Sequence, residues 1–262
     1  IFYSRRIGRR PQGRVTDSEA LYTDYPENTT ILAAGKLSGK TSSGWSIGIM
    51  DAITTEEKAT YTTSQGKEKT EAVEPQANSL VTRVKKDFRG GKSNVGFLFT
   101  ANNRNLNSDQ FKNLLNKNAY VGGIDFSHRL KNEDWILNGY VTGSRISGNE
   151  KVITNAQRSP IRYFQRPDAD HLSVDSTATS LSGIAYKLEL TKFAGKHVRA
   201  SISINEDSPG YEVNDLGYQQ NAGYRGISSF LMYMENTPGK RIRNWNLYSG
   251  TWYYSSVDNE PG

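Results

Sequence analysis

The sequence alternates apolar and polar residues over long segments, and this alternation limits what the chain can fold into. Successive side chains of a β-strand point to opposite faces, so each such segment predicts a strand with one apolar and one polar face. Helical periodicity is scarce, and the pattern therefore predicts an all-β fold. Two neighbouring segments carry the alternation most clearly, with apolar side chains at Ile184, Tyr186, Leu188 and Leu190, and at Val198, Ala200, Ile202 and Ile204.

The connections between the predicted strands are of two kinds, short turns and long polar excursions. Short turns joined to large loops are typical of an up-and-down transmembrane β-barrel, and we count about ten candidate strands. A short helix is predicted at 109–115, inside one excursion. The turn sequences fall at 38–44, 89–92, 131–134, 194–196 and 237–240, and the excursions cover roughly 54–78, 102–118, 148–177 and 206–223.

Composition excludes several classes of protein. Only 35% of the residues are hydrophobic, and no run of about 18 apolar residues exists, so a membrane-spanning helix is excluded. The chain has no cysteine, which excludes disulfides, thiolate metal sites and a cysteine nucleophile. Aromatic residues make up 11% of the chain and argue against disorder. Such a polar chain still fits a barrel, because only every second strand residue of a barrel faces lipid.

A soluble β-sandwich is the alternative to a membrane barrel, since it hides its apolar faces between two sheets. Three features favour the barrel. The polar faces carry charges in mid-strand, as at Lys187 and Glu189, which a hydrated lumen tolerates. The candidate strands are longer than the roughly five or six residues usual in globular sheets. Aromatic residues also lie near strand ends, where interfacial girdles form: Trp45, Tyr120, Trp135, Trp245, Trp252 and Tyr253.

We therefore predict an antiparallel, up-and-down transmembrane β-barrel, of which this chain is the N-terminal part. Residues 1–30 are expected to form an arginine-rich lead-in segment, and 31–262 the barrel strands with their long polar loops. The side chains expected to face lipid are Ile184, Tyr186, Leu188, Leu190, Val198, Ile202 and Ile204. Those expected to line the lumen or to cluster in the loops are Arg5, Arg6, Arg162, Arg166, Asp125, Lys187, Glu189, Arg199 and Asn214.

The charge pattern argues against a nucleic-acid partner. The net charge of +6 is modest for 262 residues, and part of it falls in the arginines of the lead-in segment. Clustered arginines can contact nucleic acid or anionic lipid, but they more often are solvated or internally paired. We expect no nucleic-acid partner and no cofactor. The 3 histidines stand at no spacing typical of a zinc site, so no metal site is expected.

Several stretches, in order along almost the whole chain, resemble one family of proteins. They are residues 1–9, 31–37 with 44–48, 87–91, 120–126, 162–168 and 208–217. The resemblance is to a Gram-negative outer-membrane β-barrel domain of unassigned function, which usually follows a carbohydrate-binding family 9-like β-sandwich. It implies a bacterial outer-membrane location and lipid as a partner. Glycans, reached through the neighbouring domain, and other envelope proteins are further partners that it implies.

The resemblance implies a channel, a transport module or a surface anchor for the neighbouring domain. Two other functions stay open, a glycan-acting hydrolase and a soluble carbohydrate-binding β domain. Members of the family are often labelled hydrolases, and a glycosidase needs two carboxylates roughly 5–10 Å apart. The alternative interpretation is that the loop carboxylates pair with arginines of the loops or of the lead-in segment. The best local pair of candidate carboxylates is Glu212 and Asp215, with Asp168 and Glu74 as outside candidates.

Overall fold

A ten-stranded antiparallel sheet makes up most of the computed structural model, which describes residues 6–130, 133–167 and 172–257. Its strands are β2 (Ile31–Lys40), β3 (Trp45–Thr54), β6 (Ala77–Phe88), β7 (Ser93–Arg104), β8 (Asn118–Leu130), β9 (Trp135–Ser147), β10 (Ser180–Lys192), β11 (Val198–Asp207), β12 (Tyr224–Glu235) and β13 (Trp245–Ser256). A three-stranded sheet contains β1 (Ala20–Asp24), β4 (Glu57–Thr63) and β5 (Glu68–Glu74). The helices are α1 (Asp109–Leu114) and α2 (Glu150–Arg158).

The strands of the large sheet follow one another in chain order. Each pairs antiparallel with its neighbour in sequence, apart from the step from β3 to β6, where the β4–β5 hairpin is inserted. The predicted all-β, antiparallel, up-and-down arrangement is thereby confirmed. In the part of the chain that the structure describes, β2 and β13 are unpaired edges, and the sheet is not closed into a barrel.

All of the shorter connections lie at one end of the large sheet, the turn end, and all of the longer ones lie at the other, the loop end. The turn end joins β2 to β3, β6 to β7, β8 to β9, β10 to β11 and β12 to β13. Gly44 and Gly90, with φ of 88° and 67°, adopt the left-handed backbone that two of these turns need. The predicted separation of turns from loops is therefore present.

The register gives the large sheet one apolar face and one polar face. Ile47, Val84, Phe97, Ile124 and Val141 are neighbours across β3, β6, β7, β8 and β9, and their side chains share the apolar face. The residues next to them in sequence lie on the polar face: Gly48, Arg83, Leu98, Gly123 and Thr142. The seven side chains predicted to face lipid all share the apolar face, and Asp125, Lys187, Glu189 and Arg199 share the polar one.

The strands are staggered steadily across the sheet. A row of paired residues that begins at Trp45, the first residue of β3, passes through Phe126 and Leu188 and ends at Tyr253 in β13. Trp45 stands at the turn end, whereas Tyr253 stands near the loop end. Such a cumulative stagger tilts strands relative to the line through their ends, as in the walls of barrels.

Aromatic residues border the apolar face at the turn end. Trp45, Trp135 and Trp245 each begin a strand there. The ammonium groups of Lys86 and Lys192 lie 5.1 Å and 5.5 Å from the ring centres of Trp45 and Trp135. Tyr120 and Tyr253 lie on the same face near the loop end, but Trp252 pairs with Ser228 on the polar face, because it is one residue out of phase with Tyr253.

The small sheet and the helices lie at the loop end. The excursion at 54–78, expected as a polar loop, contains β4 and β5, and the lead-in segment contributes β1. These strands are rich in Thr, Glu and Lys, so their alternation was weak. The predicted short helix is present as α1, with Ser108 Oγ accepting from the Phe111 N–H at 3.2 Å. Neither described helix is long and apolar enough to cross a bilayer.

Candidate functional site

The loop between β11 and β12 (residues 208–223, the covering loop) folds over the polar face of the sheet. Its first residue is bound twice to β10: the Ser208 N–H donates to the Ile184 carbonyl at 2.8 Å, and Ser208 Oγ accepts from the Ile184 N–H at 2.8 Å. Further on, the Glu212 N–H donates to Ser144 Oγ of β9 at 2.8 Å. The loop buries its apolar side chains Tyr211, Val213 and Leu216.

Two glycines let the covering loop approach β10 more closely than a side chain would allow. A Cβ atom at Gly183 would lie 2.2 Å from the Tyr211 nitrogen, and one at Gly210 would lie 2.2 Å from the Ser182 carbonyl oxygen. Both contacts are with backbone atoms, so rotating a side chain cannot relieve them. The missing side chains at these two positions therefore set the distance between loop and sheet.

Two buried ion pairs hold the covering loop in place. Glu212 accepts from the buried guanidinium of Arg162, which also donates to the Tyr211 carbonyl at 2.8 Å. Asp215 accepts from Arg104 Nη1 at 2.6 Å. Removing one member of a buried ion pair leaves the other charge unpaired, at a cost of about 3–5 kcal/mol. Each pair therefore stabilises the loop only while both of its members are present.

The surroundings of Asp215 keep it ionised. Burial alone would raise the pKa of this carboxyl, but the Arg104 guanidinium and hydrogen bonds from Arg104 and Asn116 bring it below its ordinary value. Burial, together with the nearby Arg104, lowers the pKa of the Arg9 guanidinium. The N-terminal segment adds a further contact, since Arg6 Nε donates to the Gly217 carbonyl at 3.0 Å.

A cavity of about 610 Å³ lies between the covering loop and the polar face. This volume falls within the roughly 300–1,000 Å³ usual for small-molecule sites. Tyr211 crosses from the loop to the sheet, with its hydroxyl 2.7 Å from Thr142 Oγ1, and burial raises the pKa of Tyr211 to about 12. The lining includes Arg83, Asp125, Tyr140, Asp207 and Tyr224 from the sheet, and Tyr218, Gln219, Gln220 and Asn221 from the loop.

The carboxylates proposed as catalytic groups are each engaged by a different partner. Glu212 is paired with Arg162, which is one of the partners foreseen from the sequence, and Asp215 is paired with Arg104, which was not. Glu74 accepts from the Gln12 backbone and side chain at 2.7 Å and 3.0 Å. Asp168 lies outside the described residues. A hydrolytic pair of Glu212 and Asp215 would have to act from within these ion pairs.

The predicted polar residues are spread over several parts of the structure rather than gathered into one cluster. Arg6, Arg162 and Asn214 surround the covering loop, and Arg6 Nη2 lies 3.4 Å from Asn214 Oδ1. Asp125 lines the cavity. Lys187 and Glu189 pair with each other on β10 at 2.5 Å, and Arg199 donates to the Gly195 carbonyl at the turn end. Arg166 lies in the segment between α2 and β10. Arg5 is outside the described residues.

Several residues of the site were not anticipated from the sequence. Arg83 and Arg104 stand in phase with the polar positions of β6 and β7, so extending the alternation along these strands would have placed both on the polar face. Their partners Asp125 and Asp215 are 42 and 111 residues away, and no local pattern predicts such pairs. The contribution of Gln219 and Asn221 to a cavity likewise depends on how the loop folds back.

Metal binding finds no support in the described ranges, where no group of three or more His, Asp and Glu side chains could hold an ion. The two described histidines have other contacts. His128 Nδ1 lies 2.7 Å from Ser93 Oγ, and His197 Nδ1 lies 3.1 Å from the Met234 carbonyl.

Replacing Gly183 by alanine should push the covering loop away from β10, because the new Cβ would meet backbone atoms. We expect the free energy of unfolding to fall by about 1–3 kcal/mol and the loop to become sensitive to limited proteolysis. Gly143→Ala is the control, since a Cβ there has its nearest neighbour at 3.9 Å. Equal protease sensitivity of the two variants would contradict the close contact.

Replacing Asp215 by asparagine should leave Arg104, whose side chain is 4% exposed, without its counter-charge. We expect a loss of about 3 kcal/mol in the free energy of unfolding at neutral pH, measured by urea titration. The folded pKa of Asp215 is below its ordinary value of 3.8. Its stabilisation is therefore complete above that value and is lost as the pH falls through the lower folded pKa.

The difference between wild type and Asp215→Asn should accordingly shrink in acid. Asp109→Asn is the control, because Asp109 forms an exposed ion pair with Lys112 and its removal should change stability little. A difference for Asp215→Asn that stays constant from neutral pH to strong acid would mean that the ion pair does not stabilise the loop.

Comparison with known proteins identifies the family of this chain. The sequence model described as "Domain of unknown function (DUF5916)" matches residues 1–261, which include the sheet, the covering loop and the cavity. No curated protein and no solved structure matches the chain. The predicted membership in a family of unassigned function is confirmed at that level. The chain belongs to the DUF5916 family.

Proposed function

We propose that this chain forms part of the wall of a bacterial outer-membrane β-barrel whose polar interior takes up a small polar solute. The observation that carries the proposal is the exposure of the apolar face. In the middle of the large sheet, Ile124, Val141 and Ile184 are 53%, 50% and 57% exposed. Such side chains, repeated across neighbouring strands, form a larger apolar surface than soluble monomers normally expose.

The position of the other elements supports lipid as the medium on this face. The covering loop packs against the polar face, and α2 packs against Ala119, Ile146 and Leu181, which also lie there. A soluble sandwich would need a second layer on the apolar face to bury it. Among the described elements, none supplies that layer. Contact with lipid would remove the apolar face from water, which contributes a favourable free energy of about 25 cal/mol per Å² of apolar surface.

The borders of the apolar face agree with a bilayer interface. The tryptophans that begin β3, β9 and β13 all lie at the turn end, with lysine ammonium groups over two of the rings. Aromatic girdles and cationic side chains that reach to the headgroups are typical of this depth in membrane barrels. The stagger from Trp45 to Tyr253 supplies the strand tilt that a barrel requires.

The edges of the sheet are the places where further strands complete the barrel in this proposal. An unpaired edge strand exposes a row of backbone donors and acceptors, which folded proteins normally pair or protect. On β13 both faces are exposed as well, with Leu247 on one and Trp252 on the other. Strands added at β2 and β13 would satisfy both edges and enclose the polar face.

A charged side chain introduced on the apolar face tests the proposal. Leu188→Arg should lower the free energy of unfolding by about 2–4 kcal/mol in lipid vesicles, because the position would lie near the middle of the bilayer. The matched control is Leu114→Arg in helix α1, since Leu114 and Leu188 are similarly exposed, at 46% and 40%. Urea titration in vesicles measures both.

The two variants separate the membrane proposal from a soluble β fold. In a soluble protein both leucines are surface residues, and both substitutions should have small and similar effects. Equal effects of Leu188→Arg and Leu114→Arg, or a stable monomer in the absence of detergent and lipid, would contradict the membrane assignment.

A further inference from the structure

The cavity beneath the covering loop presents aromatic rings from both of its walls. Tyr140 and Tyr224 belong to the sheet, and Tyr211 and Tyr218 belong to the loop. Tyr140 and Tyr218 are exposed side chains, and Tyr211 is fixed by its hydrogen bond to Thr142. A tyrosine combines a flat apolar ring with a hydroxyl that both donates and accepts, so this lining suits ligands with apolar faces and polar edges.

Three consecutive carboxamides extend the polar part of the lining. Gln219, Gln220 and Asn221 all border the cavity. The Gln219 Nε2 group donates to the Tyr211 carbonyl at 3.2 Å and to the Asn221 carbonyl at 3.0 Å, which fixes the orientation of its amide. Its Oε1 atom is buried and has no hydrogen-bond partner among the described residues.

The arginine of the lining is paired with a carboxylate of the lining. Arg83 forms a bidentate pair with Asp125, with Nη2 donating to Oδ1 at 2.8 Å. A second carboxylate, that of Asp207, also borders the cavity. An anionic ligand would have to displace Asp125 from Arg83 and approach Asp207, and the lining therefore disfavours an anionic occupant.

We propose that this cavity binds a neutral, polyhydroxylated solute of the size of a small oligosaccharide. A pyranose ring has C–H faces that pack on tyrosine rings, and hydroxyl edges that need both donors and acceptors. The tyrosine hydroxyls and the carboxamides offer both. The proposal deepens the proposed function by naming the class of solute, but binding in the cavity does not require an open pore.

Calorimetric titration of the full chain tests the proposal, with lauryldimethylamine oxide as a detergent because it carries no sugar headgroup. The neutral probes are maltotriose and cellotriose, and the charged probes are trigalacturonate and the glucosamine trimer. We expect saturable binding of a neutral probe. Both charged probes should bind about tenfold more weakly or worse, which corresponds to about 1.4 kcal/mol.

Variants of Tyr140 link the binding to the cavity. Tyr140→Leu replaces the ring by a smaller aliphatic side chain and should weaken binding of the neutral probe about tenfold or more, whereas Tyr140→Phe keeps the ring and should retain most of the binding. Tyr22→Leu is the control, because Tyr22 is an exposed residue of β1 and lies outside the cavity. Because Tyr140→Phe should fold as wild type does, its result stands even if Tyr140→Leu is unstable.

Three results would overturn the proposal: no saturable binding of either neutral probe, tighter binding of a charged probe, or equal binding by Tyr140→Leu and Tyr22→Leu. None of these measures the membrane assignment, which the Leu188→Arg comparison tests in vesicles. If the chain binds sugar but proves soluble, the barrel is refuted and the cavity assignment stands. If the chain is a membrane protein but binds no sugar, the cavity assignment is refuted and the barrel stands.

Discussion

The segregation of side chains by the pleat of the large sheet is the constraint on which the rest of the structure depends. Ten strands keep their register so that apolar residues share one face and polar residues the other. A slip of one residue in any pairing would invert a strand, which would place charges such as Lys187 and Glu189 on the apolar face. The face that carries loops, ion pairs and cavity exists only because this register is kept.

The polar face allows the covering loop to dock, and the loop creates the site. Two glycine contacts bring its backbone against β10, and the ion pairs of Arg162 with Glu212 and of Arg104 with Asp215 fix its middle. These groups are polar, so they need a polar surface on which to pair. The cavity lies between the loop and the sheet, and tyrosines and carboxamides line it.

Much of the fold could be predicted from sequence, because alternation is a local signal. It located the strands, placed Ile184 to Leu190 on one face, and separated turns from loops. Strands β1, β4 and β5 were not predicted, because residues such as Thr62 and Lys69 give little contrast in polarity between the two faces of a strand. The ion pair of Arg104 with Asp215 was not predicted, because the two residues are 111 positions apart and only the folded loop brings them together.

The central claim, that the apolar face meets lipid, can be measured along a single strand. The chain has no cysteine, so a spin label on one introduced cysteine at position 184, 186, 187, 188, 189 or 190 reports on β10 alone. In lipid vesicles, labels at Ile184, Tyr186, Leu188 and Leu190 should be accessible to oxygen and protected from a water-soluble nickel complex, and labels at Lys187 and Glu189 should show the opposite. Equal access of the nickel complex to both sets would contradict the account.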